Sequence, residues 1–423
     1  MSVLREIVEA NRAGASRGIC SVCSAHPMVL EACIDRAIAD GSPLLVEATC
    51  NQVNQEGGYT GMQPSQFRDF VLGLAAARGL PAERLILGGD HLGPNPWRHE
   101  PAEPALAKAQ TMVRAYAEAG FTKIHLDASM ACAGDPEPLP PEVIAGRAAR
   151  LAQVAEAAGG RPGYIVGTEV PVPGGAHEAI DHLEVTRTED LAQTIAVHRD
   201  AFARAGLEDA WSRVLAVVVQ PGVEFGSLQV VDFVPERADA LAAAIRAVPG
   251  LAFEAHSTDY QTEAALAALV ARHFAILKVG PGLTFTLREA LFALALIEAE
   301  LVPAEQRSRL REMLEAAMLA DPRHWQGHYP GSPDEQRFAR AFSLSDRCRY
   351  YWPVPQLAAA VERLLANLTE RPIPLPLLSQ YLPRQHDAIR EGRLAAEPRA
   401  LVRAKVDEVA GVYAHACGLS AER

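Results

Sequence analysis

The stretch RLILGGDHLGPNPW, residues 84–97, decides how the rest of the chain is read. Its apolar start has the composition of a buried strand. It ends in two glycines, an acid and a histidine, and Gly93, Pro94 and Pro96 keep it from running on into a helix. The chain therefore sets Asp90 and His91, its two most versatile side chains here, at the carboxyl lip of a buried strand. In parallel α/β sheets that lip is where sites are built.

Seven more runs of the same kind lie on either side. They are GICSVCSA (18–25), PLLVEAT (43–49), KIHLDAS (123–129), YIVGTEV (164–170), RVLAVVVQPG (213–222), LAFEAHST (251–258) and AILKVGPG (275–282). Each leads into an alanine-rich stretch of helical period, such as AEPALAKAQTMVRAYAEAG. Strands alternating with helices imply βαβ units and a parallel sheet. Eight units predict an α/β fold, a (β/α)8 TIM barrel, over residues 1–303. A doubly wound sheet would want a glycine-rich dinucleotide turn, and no G-x-G-x-x-G follows any strand. Beyond 303 the strand pattern stops. Residues 304–423 read as a helical extension packed on the barrel.

Bulk properties exclude several function classes. Hydrophobic residues make up 49% of the 423, enough for a large core, and the net charge of −12 argues against nucleic-acid and anionic-membrane binding. The N-terminus has no secretory pattern, and the longest apolar stretches are too short and too acidic to span a bilayer. Seven cysteines without framework spacing fit a reducing cytoplasm. Cys20 and Cys23, three apart on a strand, point to opposite faces and read as ordinary thiols rather than a metal pair. None of the four lysines follows a glycine, so no Walker motif is present.

Strand parity locates the chemistry. In KIHLDAS the apolar Ile124, Leu126 and Ala128 face the helices, so Lys123, His125, Asp127 and Ser129 face the lumen. The same logic turns Glu47, Thr49, Glu169, Glu254, His256 and Lys278 inward. Histidines and carboxylates meeting at a strand mouth are ligand types for a divalent metal, with Zn, Mn, Co and Ni equally compatible. Strands seven and eight end in AHSTDYQT and KVGPGLTFT. Gly280 and Gly282 there allow close approach to an anion, and Ser257, Thr284 and Thr286 offer hydroxyls, as expected of a phosphate site. Lys278 is also a candidate Schiff-base nucleophile. His177 and His182 read as loop or helix histidines. Arg347, Arg349 and the aromatics of LSDRCRYYWP (344–353) read as docking the extension.

These segments carry a resemblance. SVCSAHPMVLEA, EATCNQVNQEGGYTGM, GGDHLGPNPW, HLDASMACAGD, GTEVPVPGGAHE, VVVQPGVEFG, EAHSTDYQ and LKVGPGLTF together resemble the larger (Z-type) subunit of class II D-tagatose-1,6-bisphosphate aldolases, of galactitol and N-acetylgalactosamine catabolism. That family implies a cytoplasmic, oligomeric protein of tagatose metabolism acting on a ketohexose or its phosphate. It implies three activities: C4 epimerisation of fructose or tagatose (6-phosphate) by aldol chemistry, or bisphosphate cleavage; a non-catalytic subunit stabilising a smaller class II aldolase chain; and a tagatose-6-phosphate kinase. Similarity to catalytic class II aldolases implies Asp90 as acid/base, Asp127 near the chemistry, and His91, Glu169 and His256 as metal ligands. Glu47, Ser257, Lys278, Gly280, Gly282 and Thr284 would then hold substrate and phosphate. On strand six those aldolases carry a further histidine where this chain has QPGVEFG, with Val223 at or near the position. Either Gln220, Glu224 or Glu169 replaces it, or the chain binds metal weakly or not at all, and Glu224 is also a candidate catalytic acid.

Overall fold

The computed structural model describes residues 2–170 and 183–420, and His177 and His182 fall outside the described residues. All eight expected strands form. They are β1 (Ile19–Val22), β2 (Leu44–Thr49), β3 (Leu85–Leu92), β4 (Lys123–Leu126), β5 (Gly163–Val166) and β6 (Val214–Val218), then, after a short ribbon of β7 (Glu224–Phe225) and β8 (Val230–Val231), β9 (Ala252–Ala255) and β10 (Phe274–Val279). The parallel strands close into a barrel in the order β1-β10-β9-β6-β5-β4-β3-β2. The antiparallel ribbon lies outside that barrel. Several strands stop short of the sequence boundaries. β5 ends at Val166, three residues before Glu169.

Alternation along the strands makes three layers in the lumen. At the bottom, Ile19, Leu45, Ile86, Ile165, Ala252 and Ile276 form an apolar plug with Leu4, Ile7 and Val8 of the helix Val3–Arg12. Arg5 fastens that helix by donating to the carbonyls of Gly250 and Ser212, each at 2.9 Å. The middle layer is charged, and the top layer is the mouth. Outward residues of the same strands, such as Val46, Ile124, Tyr164 and Leu277, join the apolar core beneath the helices.

Past residue 303 the described elements are helices and short 3-10 turns. The helix Pro398–Ala416 packs against Pro27–Asp40, Glu263–Ala271 and Pro281–Leu301. Tyr413 on it donates its hydroxyl to the Thr258 carbonyl at 2.8 Å, reaching the loop after β9. Among the described residues, no helix is long and apolar enough to cross a membrane.

The turn after β3 depends on a close approach. A Cβ on Gly93 would stand 1.5 Å from the carbonyl oxygen of Asp127. The loop after β3 and the end of β4 are in backbone contact there, with Asp127 N donating to Leu92 O at 3.2 Å. Gly93→Ala should therefore cost more than about 4 kcal/mol, at the severe end for a point change. Urea unfolding of the variant measures this, and a loss under about 1 kcal/mol would contradict the packing.

Candidate active site at the barrel mouth

The middle layer is one ionic network. Lys123 Nζ lies 2.6 Å from Glu47 Oε1 and 2.6 Å from Glu254 Oε2. Lys278 Nζ lies 2.7 Å from Glu47 Oε2 and 2.8 Å from Asp90 Oδ1. Ser21 donates to Glu47 Oε1 at 2.7 Å. All of these side chains are buried. Burial alone would lower the Lys278 ammonium, but Asp90, Glu47 and Glu254 hold it well above its usual range. Burial would likewise raise Asp90, yet His91 and Lys278 hold it well below the carboxylate range.

Above this layer a bulge changes the expected geometry of β3. Side chains of neighbouring strand residues should diverge, yet Asp90 and His91 both point into the barrel. The β3–β4 pairing slips by one residue between Gly89 and Leu92. His91 takes up the extra residue with φ of 49°, in the left-handed region. Its Nδ1 donates to Asp127 Oδ2 at 2.7 Å, while its Nε2 lies 3.8 Å from Asp90 Oδ2. Burial would lower His91, but the two carboxylates raise it above the usual imidazole range.

Three imidazoles converge at this point. The ring centroids of His91, His125 and His256 lie 4.8 to 5.2 Å apart. Each of Asp90, His125, Glu254 and His256 offers a ligand atom within 4.8 Å of the others. His125 Nδ1 lies 3.1 Å from Asp90 Oδ1 and 3.3 Å from the His91 backbone N–H; the shorter, charge-assisted contact sets the tautomer. Nε2 then presents a lone pair, and it is buried with no partner. His256 Nε2 donates to Glu254 Oε1 at 3.0 Å, which leaves Nδ1 as its lone-pair nitrogen. Burial pushes His256 down to about 3, so it is neutral, as a ligand must be.

Charge balance supports the same fit. Glu47, Asp90, Asp127 and Glu254 are four buried carboxylates, and among the described residues the ammonium groups of Lys123 and Lys278, with the His91 imidazole on Asp127, face them, fewer than the carboxylates. A cation among these ligands would offset the remaining negative charge.

The cavity in front of the cluster has a volume of about 70 Å³ and is lined by Asp90, His91, His256, Ser257, Lys278, Gly280, Cys23, Arg349 and Tyr350, among others. Its walls thus come from the barrel and from the C-terminal helical region.

The model of the D-tagatose-1,6-bisphosphate aldolase subunit GatZ/KbaZ-like family matches residues 4–418. The chain belongs to this family. A crystal structure of a probable tagatose 6 phosphate kinase from Sinorhizobium meliloti 1021 is 53% identical to it, with a TM-score of 0.89 over 95% of this chain and 100% of that one. The YdjI aldolase from Escherichia coli K12 is more distant, at 13% identity and TM-score 0.44 over 87% of this chain and 96% of that one. Fructose-bisphosphate aldolase from Campylobacter jejuni stands at 14% and 0.47, over 86% and 91%.

Within this GatZ/KbaZ-like chain several expected positions move. Glu169 does not turn inward: β5 has already ended, and the side chain is exposed, accepting from Thr186 Oγ1 at 2.7 Å. The second imidazole of the cluster is His125 from β4, not a substitute from strand six. Gln220 instead accepts the N–H groups of Gly222 and Val223. Glu224, buried on the ribbon, accepts the N–H of Phe225 and stands outside the cluster. Glu47 is wholly spent on Ser21 and the two lysines, so it lies beneath the cavity rather than in it. Thr284 and Thr286 give their hydroxyls to the Pro281 and Gly282 carbonyls of their own helix. Gly282 gives its N–H to Asp259, which itself lines the cavity. Arg349 and Tyr350 do more than dock the extension, because they wall the cavity. Cys23, read as an ordinary thiol, lies 3.6 Å from Asp90 Oδ2 in the same wall.

Two tests follow from these charges. A Schiff base needs a neutral amine, and Lys278 is held as ammonium. Borohydride with fructose or fructose 6-phosphate should leave no adduct on Lys278; a stable adduct there would contradict the network. Burial also raises Glu224 to about 7 from an ordinary 4.5. Between those values the folded chain holds a proton that the unfolded chain releases, so raising the pH removes stability, by up to about 3 kcal/mol. Asp259, raised by burial to about 6, adds a smaller slope of the same sign. Urea midpoints measured from about pH 5 to 8 should fall more steeply for wild type than for Glu224→Gln, and parallel curves would exclude the effect.

Proposed function

We propose that the chain is a metal-dependent, class II aldolase-like enzyme that epimerises C4 of fructose or tagatose, or their 6-phosphates, by breaking and remaking the C3–C4 bond. The observation that carries this reading is the joining, in one buried mouth, of a four-ligand cluster with the separate His91–Asp127 pair. The C4 hydrogen is not alpha to the C2 carbonyl, so simple proton abstraction cannot invert that centre. No dinucleotide motif offers a redox route.

Asp90, His125, Glu254 and His256 would hold the metal, which supplies Lewis-acid polarisation of the ketose carbonyl. Zn, Mn, Co and Ni all suit two imidazoles and two carboxylates. His91 takes the C4 hydroxyl proton as the C3–C4 bond breaks and returns it when the bond re-forms. Asp127 fixes its ring and stabilises the imidazolium, a His–carboxylate division of labour. Lys278 sets a fixed positive charge beside the oxygens where negative charge develops. Rotation of the aldehyde fragment before re-addition gives the epimer, and its release gives aldolase cleavage. These roles exchange those first assigned to Asp90 and His91: the acid joins the ligands, and the histidine moves the proton.

A second reading, a stabilising subunit for a smaller class II aldolase chain, is supported by the subunit name of the family. The probable kinase from S. meliloti suggests a third, tagatose-6-phosphate kinase, but among the described residues the glycine turn after β10 is filled by Asp259 rather than open to a nucleotide phosphate.

The deciding experiment supplies the metal-reconstituted chain with fructose 6-phosphate and follows tagatose 6-phosphate. Product is expected; silence, together with restored activity of a partner aldolase, would move the function to the subunit reading. His125→Ala and His256→Ala should lose bound metal and turnover together. His91→Gln should keep the metal and lose roughly 10²- to 10⁴-fold in kcat. Metal loss in His91→Gln would return that residue to the ligand set.

A further inference from the structure

In (β/α)8 barrels the loops after the last two strands, with a helix N-terminus, commonly seat a phosphate. Here that seat is taken. The N–H groups of Gly280 and Gly282 both point at Asp259 Oδ1, at 3.0 and 2.7 Å. Asp259 is only 3% exposed, and a Cβ on Gly282 would meet the same oxygen at 3.1 Å. The chain's own carboxylate stands where an anionic group of a ligand would lie.

Arg349 in the inner cavity wall gives its guanidinium to the Ser345 and Asp346 carbonyls and the Tyr350 hydroxyl, and further cationic groups lie outside that cavity. A second cavity, of about 950 Å³, shares Asn51, Tyr59 and Tyr350 with the inner one. Its lining includes Arg323, His324, His328 and Arg347, and among the described residues Asp321 is its one acid, already 2.8 Å from Arg323. Arg347 is 5% exposed, and its Nε has no hydrogen-bond partner. Its Nη1 donates to the His324 carbonyl at 2.8 Å. The adjacent Asp346 carboxylate takes Arg288 at 2.9 Å on Oδ1, leaves Oδ2 without a hydrogen-bond partner, and forms no ion pair with Arg347 among the described residues. Burial without a counter-ion pulls Arg347 down to about 10. In a chain of net charge −12, a buried guanidinium left without an acid is costly, and its planar fork matches a phosphate.

We propose that the outer cavity seats the single phosphate of the substrate, with Arg347 as its main ligand, and that Asp259 closes the barrel's own anion seat to a second. The substrate class is then a ketohexose monophosphate rather than a bisphosphate. That class rests on the ketohexose reading of the inner site, whereas the phosphate seat does not. The inner cavity, with room for a few water-sized groups, takes the reacting carbons, and the phosphate end lies past Tyr59 and Tyr350.

Calorimetric titration of the full chain with inorganic phosphate tests both halves. Wild type should bind one phosphate per chain. Arg347→Met should weaken that binding roughly tenfold to a hundredfold, the scale of a lost charge-assisted contact. If Arg347→Met fails to fold, Arg347→Lys keeps the charge without the fork and should still weaken it several-fold. Asp259→Gly should bind a second phosphate. Wild-type affinity in a folded Arg347 variant would overturn the outer seat; two phosphates on wild type, or only one on folded Asp259→Gly, would overturn the closure. Turnover of fructose 6-phosphate is assayed separately. One phosphate bound without turnover removes the epimerase reading and leaves the seat in place.

Discussion

The site hangs on the pair of lysines in the middle of the barrel. Lys123 joins Glu47 to Glu254, and Lys278 joins Glu47 to Asp90. Removing one partner of such a buried pair strands a charge and typically costs about 3–5 kcal/mol. The network therefore fixes the depth at which Asp90 and Glu254 stand, and through them His125 and His256. Its lower face rests on the apolar plug under the N-terminal helix, so the chemistry sits on a packed floor rather than over a pore. Gly88 is part of the same constraint: a Cβ there would stand 2.7 Å from the Glu47 side chain, in space the network needs.

The fold was legible because its signal is repeated. Eight apolar runs, each with its helix, leave little room for another topology, and parity alone turned Lys123, Glu254 and His256 inward. What parity does not give is depth. Glu47 and Asp90 sit on neighbouring strands, both inward, yet one is a foundation and the other a wall of the cavity. Nor does parity survive the end of a strand, which is why Glu169 was misplaced. His125 was seen to face the lumen, but its part in the cluster depends on a bulge one strand away. The glycines and prolines around Asp90 signalled a turn; that the bulge would rotate His91 beside Asp127 depends on contacts with β4.

Distance along the chain hid the rest. Arg349 and Tyr350 reach the mouth from well over two hundred residues beyond Asp90, and no local pattern links them to it. The cavity is consequently a joint product: the barrel supplies imidazoles, carboxylates and an ammonium group, and the helical region supplies Arg349 and Tyr350. Tyr350 shows the join, since burial alone would raise its hydroxyl but Arg349 and Arg347 lower it, and the side chain walls both cavities.

The bond from Tyr413 to the Thr258 carbonyl, with that from the Gly18 N–H to the Cys417 carbonyl at 2.9 Å, ties the last helix both to the loop after β9 and to the start of β1. A ribosome that has delivered all eight strands has not yet delivered the segment that steadies the loop bearing Ser257 and Asp259. Completion of the mouth therefore waits on residues made well after the last strand, and the nascent barrel leaves the exit tunnel with its floor built and its rim unfinished.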